Sequence, residues 1–501
     1  MTVPPAHALL RRCHAAAVAG VAPAPRTREH VAAWLARRTL NAPVHLLALG
    51  KAAVDMTSGA IDALHSAGQT PAHGLVVSAH KPEPLPAWTD RLALRVGDHP
   101  IPDIGSLAAA DAIASAIAQV DAGDDVLVLL SGGTTALCAA PCAELSAAVG
   151  HPADAQRAIA DAVQTMLARG LAIHEMNTIR RRLLRWGGGR LATALAARGV
   201  REIIVFAISD VIGDDPAVIG SGPCTPDPCA PDDVLALCDA YGLRAHLDAP
   251  LLRALGLAGS GASTITPPSP SHPAFARVTH TVIARNADAC EMAAAAARAE
   301  RIACVAVADE VLEGDAAALG TAIARVALRH AMSEPAESLL VWGGEPTVVL
   351  TEDEDEDALD DDVGALDDPM APILRLSARA TLAVDPPLGG RMQALALAAA
   401  LALESPEALV PFGVLDDARR HAARITVLAA GTDGRDGPTD AAGAIVDAIT
   451  APLVRRAGRD PDVDLRRHRS YHALDGADAL LRTGPTGTNV MDLVLVHIRA
   501  T

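Results

Sequence analysis

Apolar residues in this chain come in short unbroken runs rather than in alternation. VHLLALG (44–50), DVLVLLSGG (125–133), EIIVFAISD (202–210) and HTVIAR (280–285) are four such runs, each closed by turn residues and followed by an alanine-rich helical stretch. IACVAVAD (302–309), SLLVWGGE (338–345), RITVLAAGTDG (424–434) and LVLVHI (493–498) continue the series. A strand that is apolar at successive positions has both faces covered, so the pattern predicts an α/β fold: two domains, each a mostly parallel sheet flanked by helices. In such sheets ligands sit outside the carboxyl ends of the strands. GSGASTITPPSPSHP (259–273) reads as a linker, which sets an N-terminal domain at 1–270 and a C-terminal domain at 271–501.

Composition narrows the picture. Half of the 501 residues are apolar but only 2% are aromatic, so the cores must be built from Ala, Val and Leu. No uncharged apolar stretch is long enough to span a membrane, and the N-terminal MTVPPAHALLRRCHAAAVAG carries two arginines in an amphipathic pattern, closer to a surface helix than to a signal. A cytoplasmic protein that spans no membrane is expected. The eight cysteines form no C-x-x-C pair and no zinc-ligand spacing, so they read as small buried thiols. The net charge of −18 is concentrated in TEDEDEDALDDDVGALDD (351–368), with eleven acidic residues and no basic one, which reads as a solvated, disordered loop. No basic face or aromatic platform for nucleic acid is visible. Small molecules are the expected partners, and the oligomeric state is not legible.

Candidate chemistry gathers directly after the strands. Arginine supplies nearly all the positive charge, yet Lys51, one of only two lysines, follows Gly50 at the end of the first apolar run. A compact ammonium there suits a phosphate better than a planar guanidinium does. Ser131, Gly132, Gly133 and Thr134 follow the second run, a glycine and hydroxyl cluster able to hold an anion or to form an ordinary capped turn. Asp210 ends the third run and could act as a base or hold Mg²⁺, with Ser221-Gly222 downstream. MNTIRRRLLRWGGGRLA (176–192) brings Asn177, Arg180 and four further arginines around a triple glycine. Glu345 ends a later run, and Arg391 opens a helix after two glycines, where a cation is unfavourable unless an anion binds. GTDGRDGPTDAAGA (431–444) carries Asp433 and Asp436, and TGPTGTN (483–489) carries Thr486, Gly487, Thr488 and Asn489. Neither a P-loop nor a G-x-G-x-x-G fingerprint is present; Gly220-Ser221-Gly222 runs straight into Pro223.

In this order, GKAAVDM, GDHPIPD, SGGTTAL, NTIRRRL with GGRLA, SDVIGDDPAVIGSGP, GGEPTVVL, GGRMQALAL, AAGTDGRDGPTDAAGA and GPTGTNVMDL resemble the glycerate 2-kinase family with a C-terminal MOFRL domain, whose members are often labelled hydroxypyruvate reductases. The resemblance implies a Rossmann-like N-terminal kinase domain, a MOFRL-type C-terminal domain and an interdomain cleft. It implies ATP-dependent phosphorylation of glycerate at its 2-hydroxyl with Mg²⁺, and makes Lys51 and Arg391 the catalytic cations, with Asp210 as base or metal ligand. The remaining residues named above would then bind nucleotide or glycerate. This sequence departs from the family pattern at Arg182, Leu184, Gly187, Met392 and Ala394. A nicotinamide-dependent reductase would need the missing fingerprint, and a non-catalytic ligand-binding relative would not need Lys51, Asp210 and Arg391.

The acidic run has too few apolar residues to offset the entropy of ordering it. Replacing 351–368 by a short Gly/Ser linker is therefore expected to leave turnover and melting temperature nearly unchanged. A large loss of activity would show that the run takes part in the chemistry.

Overall fold

The computed structural model describes residues 4–38, 42–171, 173–257, 265, 267–348, 385–409 and 415–501; the acidic run 351–368 and residues 259–264 and 266 of the expected linker lie outside them. The chain forms two compact units. The first comprises Ala19–Asp288 with Gly487–Val490, and the second Met1–Val18, Ala289–Thr486 and Met491–Thr501.

The first unit is built on a sheet of β1 (Val44–Leu49), β2 (Gly74–Ser78), β3 (Ala93–Val96), β4 (Asp125–Leu130), β5 (Glu202–Ile208) and β6 (Val278–Ala284). Its order is β3-β2-β1-β4-β5-β6 and every pairing is parallel. β1 and β4 are buried along their whole length, as their unbroken apolar runs require. Leu47, Leu49, Val126, Val128 and Leu130 face Ile113 and Ile117 of the helix Ile104–Ala118 and Leu191 and Leu195 of Arg190–Ala197. The alternate positions Leu46, Ala48, Leu127 and Leu129 are equally buried. The strand order reverses between β1 and β4, and a doubly wound sheet binds its ligand at such a switch point. A cluster of helices between β4 and β5 and after β5 has its own core around Leu145, Ile159, Ile179, Leu183 and Leu251.

The second unit carries β7 (Cys304–Val307), β8 (Leu312–Asp315), β9 (Ser338–Thr347), β10 (Ile425–Gly431), β11 (Gly443–Asp447), β12 (Leu480–Leu481) and β13 (Asp492–Ile498), in the order β12-β11-β10-β13-β9-β7 with β8 also on β9. Here the expected mostly parallel sheet is not found. β10 pairs antiparallel with β11 and β13, as do β11 with β12 and β13 with β9, and only β7 and β8 pair parallel with β9. The apolar runs misled because a strand buried on both faces reads the same in either direction. The expected division at 270 also falls too early, since β6 completes the first sheet. The N-terminal helix Pro5–Gly20 is amphipathic, as expected: Leu9, Leu10, Cys13, His14 and Ala17 are buried while Arg11 and Arg12 are exposed, and His14 is hydrogen-bonded to the Gly431 backbone.

The helix Arg391–Glu404 lies in the core of this unit, with Met392 to Ala400 buried throughout. It packs on Ala316–Ser333, whose Gly320 comes so close that a Cβ there would sit 2.2 Å from the Leu395 carbonyl oxygen. Gly320→Ala must push the two helices apart. An overpacking cost of about 1–3 kcal/mol is expected, read as a lowered melting temperature; an unchanged melting curve would show that this contact does not set the position of the Arg391 helix.

Candidate active site

In the first unit the site begins with a glycine that nothing else could replace. Gly50 has φ +124°, and a Cβ on it would meet the Ser131 Oγ at 2.2 Å and the Ser131 carbonyl oxygen at 2.5 Å. The tips of β1 and β4 therefore touch. The Lys51 N–H donates to the Gly132 carbonyl at 2.9 Å, and the Ala52 N–H donates to the Ser131 Oγ at 3.0 Å. The Thr134 hydroxyl is shared between the carbonyls of Leu49 and Ser131, both at 2.8 Å. Ser131 and Thr134 thus brace the turn that presents Lys51.

The next two glycines seat the charged groups. A Cβ on Gly132 would lie 1.9 Å from the Asp210 Oδ2, and one on Gly133 would lie 3.0 Å from the Lys51 Cγ and 3.3 Å from the His99 Cδ2. Asp210, Lys51 and His99 are gathered on adjacent glycines at the carboxyl ends of β1, β4 and β5. Ser221 and Gly222, both with left-handed φ, end a 3₁₀ turn, and the Ser221 and Thr135 hydroxyls are hydrogen-bonded at 2.9 Å.

His99 was not among the residues expected from sequence. It lies in the irregular segment after β3, pinned by Gly97, where a Cβ would meet the Leu137 carbonyl oxygen at 2.1 Å, and by Asp98 and Ser106, which exchange two hydrogen bonds of 3.0 Å. Burial pushes the His99 pKa down to about 4, and the charges of Lys51, His80 and Arg180 push the same way. Arg180, pulled down to about 10 by burial, has a buried Nε with no partner among the described residues; its Nη1 donates only to the Asn177 Oδ1, at 3.3 Å. Like charges brought together in this way call for an anion.

The neighbouring arginines are different. Arg181 and Arg182 are buried against the Asp227 carboxylate at 3.6 and 2.9 Å, and Arg190 donates to the carbonyls of Arg181, Leu184 and Gly187. The triple glycine serves packing, since a Cβ on Gly189 would run into Phe275 at 2.5 Å. Two of the departures from the family pattern, Arg182 and Leu184, therefore fall in buried packing positions. Gly487, Thr488 and Asn489 belong to the first unit. A Cβ on Gly487 would meet the Asp55 Oδ2 at 2.8 Å, in the first turn of the helix that follows Lys51, and the Thr488 hydroxyl donates to the Val21 carbonyl at 3.2 Å.

The second unit holds the other expected residues. Arg391 donates through Nε to Asp492 at 2.5 Å, and its Nη1 lies 3.1 Å from Glu345, which together hold its pKa well above the usual range. The anion demanded by a cation at a helix start is thus supplied from within, and Asp492, missed in the sequence because it reads as an ordinary strand start, is its main source. Asp436 accepts the N–H groups of Met392 at 3.1 Å and Gln393 at 2.7 Å, so it caps the same helix. Burial raises Asp436 to about 7 and Asp492 to about 6. The Asp433 Oδ1 accepts the Arg435 N–H at 2.9 Å, and the Thr486 hydroxyl donates to the Thr432 carbonyl. Arg391, Asp433 and Asp436 line a cavity of about 590 Å³, as does Ala394, one of the positions that depart from the family pattern.

Among the described residues no group of three or more His, Cys, Asp or Glu side chains could hold a metal ion, and no helix is long and apolar enough to cross a membrane. Mg²⁺ needs only one or two carboxylates when phosphates and water complete its shell. Asp210 over Gly132 fits that requirement.

A family model described as a domain of unknown function, DUF4147, matches residues 9–256, and one described as the MOFRL family matches 377–492. D-glycerate 2-kinase of Thermotoga maritima is 30% identical over 459 residues, 90% of this chain and 90% of that protein. A protein of Agrobacterium vitis that carries the name hydroxypyruvate reductase is 31% identical over 411 residues, 81% of this chain and 78% of that protein. The crystal structure of glycerate kinase from Thermotoga maritima superimposes with a TM-score of 0.73 at 27% identity, covering 99% of this chain and all of that one.

The contrast between the arginines is testable by melting. Asp227→Ala leaves two buried guanidinium groups unpaired and is expected to cost about 3–5 kcal/mol. Arg180→Ala removes a buried cation from among like charges and is expected to melt at or above the wild-type temperature. The reverse order would make Arg180 the structural residue.

Proposed function

The chain belongs to the glycerate 2-kinase family with a C-terminal MOFRL domain, and we propose that it transfers the terminal phosphoryl group of ATP to the 2-hydroxyl of D-glycerate, giving 2-phosphoglycerate and ADP. The observation that carries this reading is the seating of Lys51 and Asp210 on Gly133 and Gly132 at the strand ends, beside Arg180 and His99. Phosphoryl transfer asks a protein chiefly to position two substrates and to neutralise developing negative charge. Lys51 is a compact cation on a braced turn, and Arg180 adds a second without a carboxylate partner among the described residues.

In the proposed step the glycerate 2-hydroxyl oxygen forms a bond to the γ-phosphorus while the bond from that phosphorus to the β–γ bridging oxygen breaks, leaving ADP. Asp210 accepts the hydroxyl proton, and its second oxygen is the one we assign to Mg²⁺. Bound Mg²⁺ supplies charge neutralisation on the phosphate oxygens. Arg391 is a further catalytic cation in this reading, its direction fixed by Asp492 and Glu345. Ser131, Gly132, Gly133 and Thr134 shape the turn, and Asn177 steadies Arg180. Hydride transfer from a nicotinamide finds no support in these residues, since Gly220-Ser221-Gly222-Pro223 makes a 3₁₀ turn rather than a dinucleotide loop.

Purified protein with ATP, Mg²⁺ and D-glycerate is expected to release ADP in a coupled assay. Lys51→Ala should lose roughly two to five orders of magnitude in turnover, the range found when a charge-stabilising group is removed. Lys51→Arg should rescue poorly, because a planar fork does not replace a point charge. Full activity in a folded Lys51→Ala variant would end this assignment.

A further inference from the structure

The helix Ile173–Leu183 carries consecutive arginines whose surroundings differ. Arg181 and Arg182 meet the Asp227 carboxylate, but Arg180 has no carboxylate among the described residues. Its Nη1 donates to the Asn177 Oδ1 at 3.3 Å, one turn earlier on the same helix. Its Nε is enclosed, whereas its Nη2 is not and engages no described residue. The guanidinium plane is therefore steadied through one nitrogen while another stays open.

Lys51 and Arg180 differ in place as well as in shape. Lys51 rides the braced turn between β1 and β4, next to Asp210 over Gly132, and a compact charge there suits the phosphoryl group. Arg180 comes from a helix outside the sheet, and its charge bears on His99, which packs with the Lys51 stem over Gly133. In a 2-hydroxy acid the carboxylate is bonded to the carbon that carries the reacting hydroxyl. A group that grips this carboxylate must stand beside the pair that acts on the hydroxyl. A planar fork matches two carboxylate oxygens in a way that a point charge does not.

We propose that Arg180 binds the carboxylate of the acceptor, and that Asn177 is the positioning residue that holds its guanidinium in plane. This role rests on the kinase reading of the site and adds to it a reason for an acidic acceptor. A neutral alcohol in the same place leaves a half-buried cation unpaired, and a site built around a polar partner rejects molecules that lack it.

Steady-state kinetics with each substrate varied in turn tests the assignment. Arg180→Ala should raise the KM for D-glycerate roughly 10–100-fold and leave the KM for ATP within about threefold. Asn177→Asp offers Arg180 a carboxylate from within the protein, so it should raise both the melting temperature and the KM for D-glycerate. A purely structural Arg180 would show the gain in melting temperature without the change in KM. A rise confined to the KM for ATP, or an unchanged KM for D-glycerate in either variant, overturns the proposal. Asn177→Asp keeps the guanidinium in place and decides if melting curves show Arg180→Ala to be misfolded. A wild type that does not phosphorylate D-glycerate refutes the kinase reading, and isothermal titration of the intact protein with D-glycerate then decides about Arg180. Binding that both variants weaken keeps the carboxylate site; binding that they leave unchanged, or none to the wild type, removes it.

Discussion

Lys51, Arg180, His99 and His80 bear on one another at the strand ends, with Asp210 seated on the neighbouring glycine, and the first unit is organised around holding them there. Burial and mutual repulsion are strong enough to keep His99 neutral near pH 7 and to pull Arg180 below the ordinary range of a guanidinium. A fold tolerates such a cluster only when surrounding geometry over-determines it. Gly50 lets β1 touch β4, Gly133 admits the Lys51 stem and His99, Gly97 lets the His99 segment reach Leu137, and the Asp98–Ser106 pair closes that segment. These contacts hold like charges at a switch point of a parallel sheet, where such folds bind their ligands.

The second unit solves the opposite problem. Its cation, Arg391, is over-compensated by Asp492 and Glu345, and the helix it opens is further capped by Asp436. Charge is stored there in pairs rather than left unpaired. Arg391 is therefore fixed in direction by the protein itself, and preorganised charge of this kind suits the catalytic role proposed for it. Buried carboxylates whose pKa values rise to about 6 and 7 are the electrostatic cost of that arrangement.

Much of this was legible in the chain. A lone lysine after a strand-ending glycine, the Gly132-Gly133 pair and the aspartate ending β5 are local signals, and the structure gathers all of them. His99 was not legible, because its only connection to Lys51 is packing across Gly133 from a segment after another strand. Asp492 was missed because a carboxylate opening an apolar run reads as an ordinary strand start. Charge and glycine content drew attention to the whole 180–190 stretch, but only the Asp227 carboxylate separates Arg180 from Arg181 and Arg182, whose charges are spent on it. Strand direction in the second sheet was hidden for a related reason: full burial removes the alternation that would distinguish an antiparallel strand. The aspartates 433 and 436 look alike in sequence, yet one is held by a turn N–H and the other caps a helix.

The central claim is that the Lys51–Arg180–His99 cluster is an anion site, and the imidazole of His99 reports on it directly. Its titration can be followed by proton NMR, the signal being assigned by its loss in His99→Gln. With the protein alone the account predicts a pKa far below the ordinary histidine value, near 4. Saturation with ADP and Mg²⁺ should raise it, because a bound anion offsets the repulsion from Lys51 and Arg180 and so favours the imidazolium. An ordinary pKa that ignores the nucleotide would contradict the account.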